Sequence, residues 1–360
     1  SEIEFASWFT TSPILALTGS NGKTTTVNLL HEMCLSYGKN SLLGGNVGIP
    51  FSENVLWEIK SAMKDAVHVL ELSSFQLEHI HSFSPKIAGL LNISEDHMDR
   101  YENIHDYMNA KIRITECMTS SGCVVYNGDD PMLLKALDQQ KGAKLFSMND
   151  DREHHFKLNA SKIYSGSSND PDILFKFDES SLKGIHNIQN ILAASTMAHI
   201  FGISDDAIRD TIINFKPIPN RFEWIGNIDG VDYINDSKAT NIAATRAAIE
   251  SLDKSTILIM GGADKGNTNF SKLGPLLDKH IKYVITYGEA GQCIKEQIDS
   301  IINVIYVEKF DSAILKASEK AQPNDIILLS PACSSFDQFN NYEERGDAFK
   351  NIFNNLELKL

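Results

Sequence analysis

The chain has 360 residues, 42% hydrophobic and 22% charged, the proportions of a globular protein long enough for two domains. Its 33 basic and 47 acidic side chains give a formal charge of −14, which excludes nucleic acid as a bulk partner, because phosphate backbones need a basic footprint. No apolar run reaches the roughly 18 residues of a membrane span, no secretory leader is visible, and the five scattered cysteines predict reduced thiols in a cytosol rather than a disulfide framework.

Residues 14–17 read as a buried strand running into Thr18-Gly19-Ser20-Asn21-Gly22-Lys23-Thr24. Val27, Leu29, Leu30, Met33 and Cys34 then form a helical stripe over 23–37. A glycine turn that opens a helix aims backbone N–H groups at an anion, in the favourable field of the helix dipole. Lys23 adds a mobile cation and the Thr24 hydroxyl a ligand for Mg²⁺. The element is shorter than a Walker A loop, since Leu17 stands five before Gly22. The strand before it and the helix after it still predict nucleotide phosphate binding rather than an ordinary turn. A strand at 41–43 precedes Gly44-Gly45-Asn46-Val47-Gly48, where spacing leaves a ligand loop and a plain turn equally open. The strand 66–71 ends in Glu71 and opens Glu71-Leu72-Ser73-Ser74-Phe75-Gln76-Leu77-Glu78. A strand-end carboxylate in the sheet of a phosphate loop suits Mg²⁺ better than a turn cap. The strand 87–91 leads into Asn92-Ile93-Ser94-Glu95-Asp96-His97-Met98-Asp99-Arg100, where His97 reads as a ligand or substrate contact. In a helix at 104–116, Ile104, Tyr107, Met108, Lys111 and Thr115 share one face. That pattern alone predicts that Lys111 snorkels its ammonium to water.

A strand at 122–126 and a helix at 131–139 follow, and short apolar runs separated by helices predict a mainly parallel sheet covered on both faces. From 147 to 183 the chain is polar; a small antiparallel excursion is expected near 173–177, with His154 and His155 facing solvent. Residues 186–201 read as a helix. Phe215-Lys216-Pro217-Ile218-Pro219-Asn220 breaks the pattern, because two prolines in three residues favour an extended linker. Strands at 233–234, 256–260, 282–287, 304–307 and 325–329 then alternate with helices at 241–250, 291–300, 312–320 and 342–354, a second open α/β domain. Three polar motifs sit at its strand ends, where ligands of such sheets bind: Asn235-Asp236-Ser237-Lys238-Ala239-Thr240-Asn241, Gly261-Gly262-Ala263-Asp264-Lys265-Gly266, and Ser330-Pro331-Ala332-Cys333-Ser334-Ser335-Phe336-Asp337-Gln338-Phe339. The first suits a charged small substrate, although Asp236 or Thr240 also serves as a helix cap. Cys333, with no histidine near it in sequence, reads as a buried structural thiol.

Taken together, TGSNGKT, GGNVGIP, ELSSFQLE, SEDHMDRY, NAKIRI, HNIQN, NRFE, NDSKATN, GGADKG and SPACSSFDQF resemble the motifs of the Mur ligases, in family order from Thr18 to Phe339, and most closely those of the D-glutamate-adding branch. The resemblance implies an α/β architecture: a P-loop-type central ATPase domain with a mainly parallel sheet at 1–217, then a Rossmann-like C-terminal domain at 218–360. It implies an additional N-terminal uridine-binding domain. The chain opens at Ser1-Glu2-Ile3-Glu4-Phe5, like the last segment before the ATPase domain, so a truncation with impaired ligation is expected. The implied reaction is ATP-dependent, ADP-forming addition of D-glutamate to UDP-N-acetylmuramoyl-L-alanine through an acyl phosphate, by a monomer in the bacterial cytoplasm. Positioning and cations carry most of such catalysis, because the reacting groups are all anionic. By matching position, Gly19, Ser20, Asn21, Gly22, Lys23, Thr24 and Thr25 would hold ATP phosphates. Thr24 and Glu71 would ligate one Mg²⁺, and His97 and Lys111 a second. The family carbamylates that lysine with CO₂, which accounts for a lysine on an inward face better than snorkelling does. Asn46 and Ser73, with His97, would contact the muramoyl substrate, Asn187 and Asn190 the adenine, and Arg221 and Asp236 the nucleotide. Lys238, Thr240, Lys265, Ser335, Phe336 and Tyr342 would receive D-glutamate. Asn220 stands where the family often has histidine, and Tyr342 where phenylalanine is frequent.

Overall fold

The computed structural model describes all residues except 99, 139–141, 149–155, 160–161, 166–171, 177–178, 181, 183–184, 217, 251, 253, 265, 267 and 359–360, and only the backbone of 156–159, 162–165, 172–176, 185–186, 278 and 280. The chain divides into two compact units, Ser1–Lys216 and Pro217–Leu360.

The strands of the first unit are β1 (Ile14–Thr18), β2 (Asn40–Gly45), β3 (Ala66–Glu71), β4 (Ile87–Leu90), β5 (Cys123–Asn127) and β6 (Lys144–Phe146). Among the described residues they form one sheet, ordered β2-β3-β1-β4-β5-β6 and parallel at every pairing. Every residue of β1 and β3 is buried, as expected of strands covered on both faces. The helices are α1 (Glu2–Ser7), α2 (Lys23–Ser36), α3 (Phe51–Ser61), α4 (Ser74–Leu77), α5 (Ile104–Ile112), α6 (Pro131–Leu137), α7 (Ile185–Phe201) and α8 (Asp205–Asn214). Phe51, Val55, Leu77, Phe83, Tyr107 and Ile114 pack on one sheet face. On the other, α2 packs against α7. The sequence pattern does not announce α1, α3, α4, α8 or β6. In α3 only Phe51, Asn54 and Val55 are buried, too sparse a stripe to read. α5 ends at Ile112, short of the expected 116, and a 3₁₀ turn at Arg113–Thr115 follows. There the Arg113 guanidinium donates to Leu77 O and Ile80 O. β7 (Phe156–Asn159), β8 (Lys162–Ser165) and β9 (Asp172–Lys176) form the antiparallel excursion. His154 and His155 lie outside the described residues.

The second unit contains β10 (Glu223–Ile228), β11 (Val231–Asn235), β12 (Thr256–Gly261), β13 (Ile281–Tyr287), β14 (Val304–Val307) and β15 (Ile326–Ala332), with α9 (Ile242–Glu250), α10 (Gly274–His280), α11 (Gly291–Ile298), α12 (Phe310–Lys320) and α13 (Tyr342–Glu357). Among the described residues its sheet runs β10-β11-β15-β12-β13-β14, antiparallel only at β10–β11. β12 alternates between two cores: Leu258 and Met260 join Phe270 and Leu277, while Ile257 and Ile259 join Tyr287, Phe310 and Phe349. In this unit the pattern does not show α10 or β10; β10 is the unread strand. It is an edge strand with an exposed Trp224 and one buried residue, Gly226.

Candidate active site

Parallel register brings the first unit's motifs to one edge. Leu17 pairs with Glu71, Gly45 with Glu71, and Thr18 with Leu90, so the loops after β1, β2, β3 and β4 leave the sheet together. β2 and β3 lie on one side of β1, and β4 to β6 on the other. The β1 and β4 loops therefore diverge at the switch point where open α/β sheets bind ligands.

The loop after β1 is pinned to the loop after β4. Ser20 N donates to Asn92 O at 2.9 Å, Asn21 N to Asn92 Oδ1 at 2.8 Å, and Ser94 N to Ser20 Oγ at 2.9 Å. Those two loop amides are used internally. The first-turn amides of α2, which lack intrahelical acceptors, are the ones positioned to meet an anion. Gly22 caps α2 at φ 82°. A Cβ there would stand 2.2 Å from Asn190 Oδ1, so α7 lies directly on the loop. Thr26 Oγ1 and Asn190 Oδ1 are 3.3 Å apart, and Asn190 Nδ2 donates to Asn187 Oδ1 at 3.0 Å.

Behind the loop lies a buried carboxylate–lysine centre. Glu71 is 3% exposed. It accepts from Thr24 Oγ1 at 2.7 Å and from Asn46 Nδ2 at 2.9 Å, while Asn46 N donates to Glu71 O at 2.7 Å. Lys23 Nζ donates to Gly19 O at 2.7 Å and Ser20 O at 2.8 Å. Lys111 Nζ reaches the same Gly19 O at 2.9 Å and lies 4.5 Å from the centroid of the Tyr107 ring. Lys111 is 1% exposed, so the snorkelling that its helical pattern predicts does not occur. Burial, with Lys23 nearby, holds its ammonium well below the ordinary lysine range, and Asp96 and Glu71 offset only part of this. His97 is held from another direction: its N donates to Asp96 Oδ1, Nε2 lies 3.7 Å from Asp96 Oδ2, and Phe75 meets its ring edge-on at 4.8 Å. Its φ of 56° is uncommon for a residue with a side chain, and such strain collects at functional sites. Ser73 is the N-cap of α4 in a capping box with Gln76.

Thr24 and Glu71 are oxygen donors of the kind Mg²⁺ takes, and Mg²⁺ is commonly held by one or two carboxylates completed by substrate phosphates. Among the described residues no group of three or more His, Cys, Asp or Glu side chains is arranged for a metal. The donor set thus fits a cation shared with a phosphate ligand, not a closed structural site.

In the second unit, Asp236 N donates to Leu329 O at 2.8 Å, and the Asp236 carboxylate accepts from Phe222 N at 3.1 Å and Ser330 Oγ at 3.0 Å. Burial pushes this carboxyl up to about 7, although those bonds, Arg221 and Arg345 pull the other way. Asn220, at φ 64°, accepts from Lys238 N through its backbone and from Asn235 Nδ2 through its side chain. Lys238 Nζ lies 3.7 Å from the centroid of the Tyr342 ring. Ser335 is buried and Phe336 is 73% exposed; Thr240 is half-buried. Cys333 is buried. Lys265 lies outside the described residues, as does Asp99. The sequence reading misses Arg345, which is wholly buried. One signal was present: it stands on the apolar stripe of α13, four residues before Phe349 and eight before Phe353.

Two family models match the chain: the Mur ligase middle domain over residues 17–198, and the Mur ligase, glutamate ligase domain over 220–333. A UDP-N-acetylmuramoylalanine–D-glutamate ligase of Salinibacter ruber is 38% identical over 370 residues, covering 99% of this chain and 79% of the relative. One of the same name from Koribacter versatilis is 39% identical, covering 98% and 76%. Among solved structures, a pseudomurein peptide ligase type C from Methanothermus fervidus matches with a TM-score of 0.74 at 19% identity, over 96% of this chain and 79% of that one. MurF ligase from Thermotoga maritima in complex with ADP matches at 0.73 and 17% identity, over 99% and 84%. These two show the fold.

Proposed function

The chain belongs to the Mur ligase family, and we propose that within it this is an ATP-dependent, ADP-forming ligase that joins D-glutamate to UDP-N-acetylmuramoyl-L-alanine, in peptidoglycan precursor synthesis in a bacterial cytoplasm. The observation that carries this reading is the buried Thr24–Glu71 pair beside two lysines that share the Gly19 carbonyl.

In this reading the α2 N-terminus and Lys23 hold the outer phosphates of ATP. Thr24 and Glu71 would hold Mg²⁺, which would supply positive charge against the transferring phosphoryl group. An oxygen of the L-alanyl carboxylate attacks the γ-phosphorus and ADP leaves. The amine of D-glutamate, having lost its proton, then attacks the acyl carbonyl, and the C–O bond to phosphate breaks. A carboxylate alone is a poor acyl donor; the acyl phosphate, a mixed anhydride, carries phosphate as its leaving group. Lys111 is poised for a second role. An amine held below its ordinary pKa is available uncharged, the form that adds CO₂ to give a carbamate. That conversion would turn a repulsive neighbour of Lys23 into an anionic oxygen ligand, which with His97 would serve a second Mg²⁺. Asn46, bound to Glu71 on both its backbone and side chain, would orient the reacting carboxylate. In the second unit Lys238, Thr240, Lys265, Ser335, Phe336 and Tyr342 receive D-glutamate, for which cationic lysines suit a dicarboxylate.

The test is phosphate release from MgATP with UDP-N-acetylmuramoyl-L-alanine in bicarbonate buffer, with and without D-glutamate. Release that requires both substrates is expected. Release indifferent to D-glutamate, or restored better by another amino acid, would overturn the substrate assignment.

A further inference from the structure

Arg345 is a buried cation with an unusual set of partners. Among the described residues no carboxylate lies within ion-pairing distance of it. Its guanidinium is satisfied by main-chain and hydroxyl oxygens instead. Nε donates to Ser237 Oγ at 2.9 Å and Nη2 to Ser237 O at 2.8 Å and Cys333 O at 3.2 Å. Nη1 lies 3.2 Å from Cys333 O, 3.2 Å from Ser334 O and 3.3 Å from Tyr287 Oη. Burying a cation without a directly paired carboxylate is costly, even with Asp236 near enough to feel its charge, and a fold keeps such a group where its fork geometry holds several segments at once.

The segments it holds are the second unit's ligand motifs. Ser237 belongs to Asp236–Thr240, and Cys333 and Ser334 precede Ser335 and Phe336. The third motif joins through Ser334, because Ala263 N donates to Ser334 O and Ser334 N to Ala263 O. Gly262 passes so close that a Cβ there would stand 2.1 Å from Ser334 O and 3.1 Å from Arg345 Nη1. Tyr342, whose ring meets Lys238 Nζ, lies three residues before Arg345 on α13, and Ser237 Oγ donates to Tyr342 O at 2.8 Å. Three segments distant in sequence, at Ser237, Tyr287 and Cys333–Ser334, thus meet at one guanidinium, and a fourth, Gly262–Ala263, is tied to it through Ser334.

We propose that Arg345 is the positioning residue of the amino-acid pocket, setting the spacing of the loops that carry Lys238, Thr240 and Ser335. The inference rests on the reading that these loops receive D-glutamate. It separates two properties of arginine. If the fork matters, a lysine, with its charge but without five donors in a plane, does not replace it. Misplacement of binding groups by a fraction of an ångström to 1 Å then weakens amino-acid use by about tenfold or more.

The experiment compares the parent chain with R345K, R345Q and S237A, the last removing the Nε acceptor together with the Ser237 Oγ bond to Tyr342 O while leaving the guanidinium's main-chain acceptors in place. D-glutamate is titrated at saturating MgATP and UDP-N-acetylmuramoyl-L-alanine, ATP is titrated at saturating D-glutamate, and melting is followed in parallel. D-glutamate binding is also read directly by saturation-transfer NMR. Expected results are a KM for D-glutamate raised about tenfold in R345K and R345Q and several-fold in S237A, with the KM for ATP within about twofold of the parent. An R345K with the parent's KM overturns the proposal, since charge alone would then suffice. Variants that melt lower while keeping the parent's KM overturn it too, as a purely structural role predicts. Should the Arg345 variants fail to fold, S237A decides: an unchanged D-glutamate response in that folded variant refutes the proposal. A parent that neither binds nor uses D-glutamate refutes the functional reading itself, and this inference with it.

Discussion

Replacing Lys111 with methionine removes an ammonium that the fold accommodates at a cost. Lys23 Nζ and Lys111 Nζ bond one carbonyl oxygen at 2.7 and 2.9 Å, so the nitrogens stand no more than about 5.6 Å apart. At an effective dielectric constant near 20, two unit charges at that separation repel by about 3 kcal/mol. Burial adds to this, Glu71 and Asp96 offset part of it, and methionine forfeits one hydrogen bond worth about 1 kcal/mol. The net expectation for K111M in CO₂-free buffer at pH 7 is a gain of about 2 kcal/mol, or about 4–8 °C in the melting temperature of a unit this size. The pH dependence follows from linkage. The folded value of Lys111 lies below its ordinary value, so between the two the unfolded chain binds more protons and the parent gains stability as pH rises. K111M lacks that gain, and the gap between the two proteins should close as pH approaches about 10.4. Calorimetry from pH 7 to 10 measures this, while phosphate release and ¹³C-bicarbonate NMR report the functional side. D-glutamate-dependent release and a protein-bound carbamate resonance should both vanish in K111M. A variant that melts below the parent at pH 7, by an amount that does not shrink toward pH 10, refutes the account of a strained buried amine.

Gly22→Ala places a methyl 2.2 Å from Asn190 Oδ1 at φ 82°, which should cost about 1–3 kcal/mol in urea unfolding and weaken ATP binding in calorimetric titration. Asp236→Asn should alter the pH profile of melting. The Asp236 carboxyl, raised to about 7, keeps a proton that the unfolded chain releases above about 3.9. The parent therefore loses stability relative to D236N as pH rises toward 7, and a constant difference between pH 4 and 7 contradicts this. Glu4 shows the opposite sign. Burial would raise its carboxyl, but donors from Ser82, His81 and Trp8 outweigh burial and hold it at about 2. The resulting stability is present above about pH 4.3 and lost as pH falls through 2, so Glu4→Gln should cost about 2 kcal/mol at pH 7, with Trp8 fluorescence as the reporter.

Local sequence was sufficient wherever one short segment held the whole signal. The β1–Gly22–α2 element reads directly because a buried strand, positive-φ glycines and a helix start are adjacent in the chain. The same holds for the strand ending in Glu71, and for the α/β class, which follows from short apolar runs alternating with helical stripes. The polar clusters at strand ends were likewise visible. Tertiary structure decided what depends on neighbours remote in sequence. Lys111 looks like a snorkelling lysine on its own helix and is buried only because Gly19, 92 residues away, supplies an acceptor behind the sheet edge. Asn190 and Gly22 acquire their relation from the packing of α7 on α2. β10 was illegible because an edge strand needs no continuous apolar run. Arg345 remained hidden because a helical stripe of Phe349 and Phe353 reads as core, and the carbonyls that make a guanidinium acceptable there come from two loops that precede it in the chain. Periodicity records which face of an element is buried; the polar partners on that face are set by where the chain returns, and that is a property of the assembled sheet.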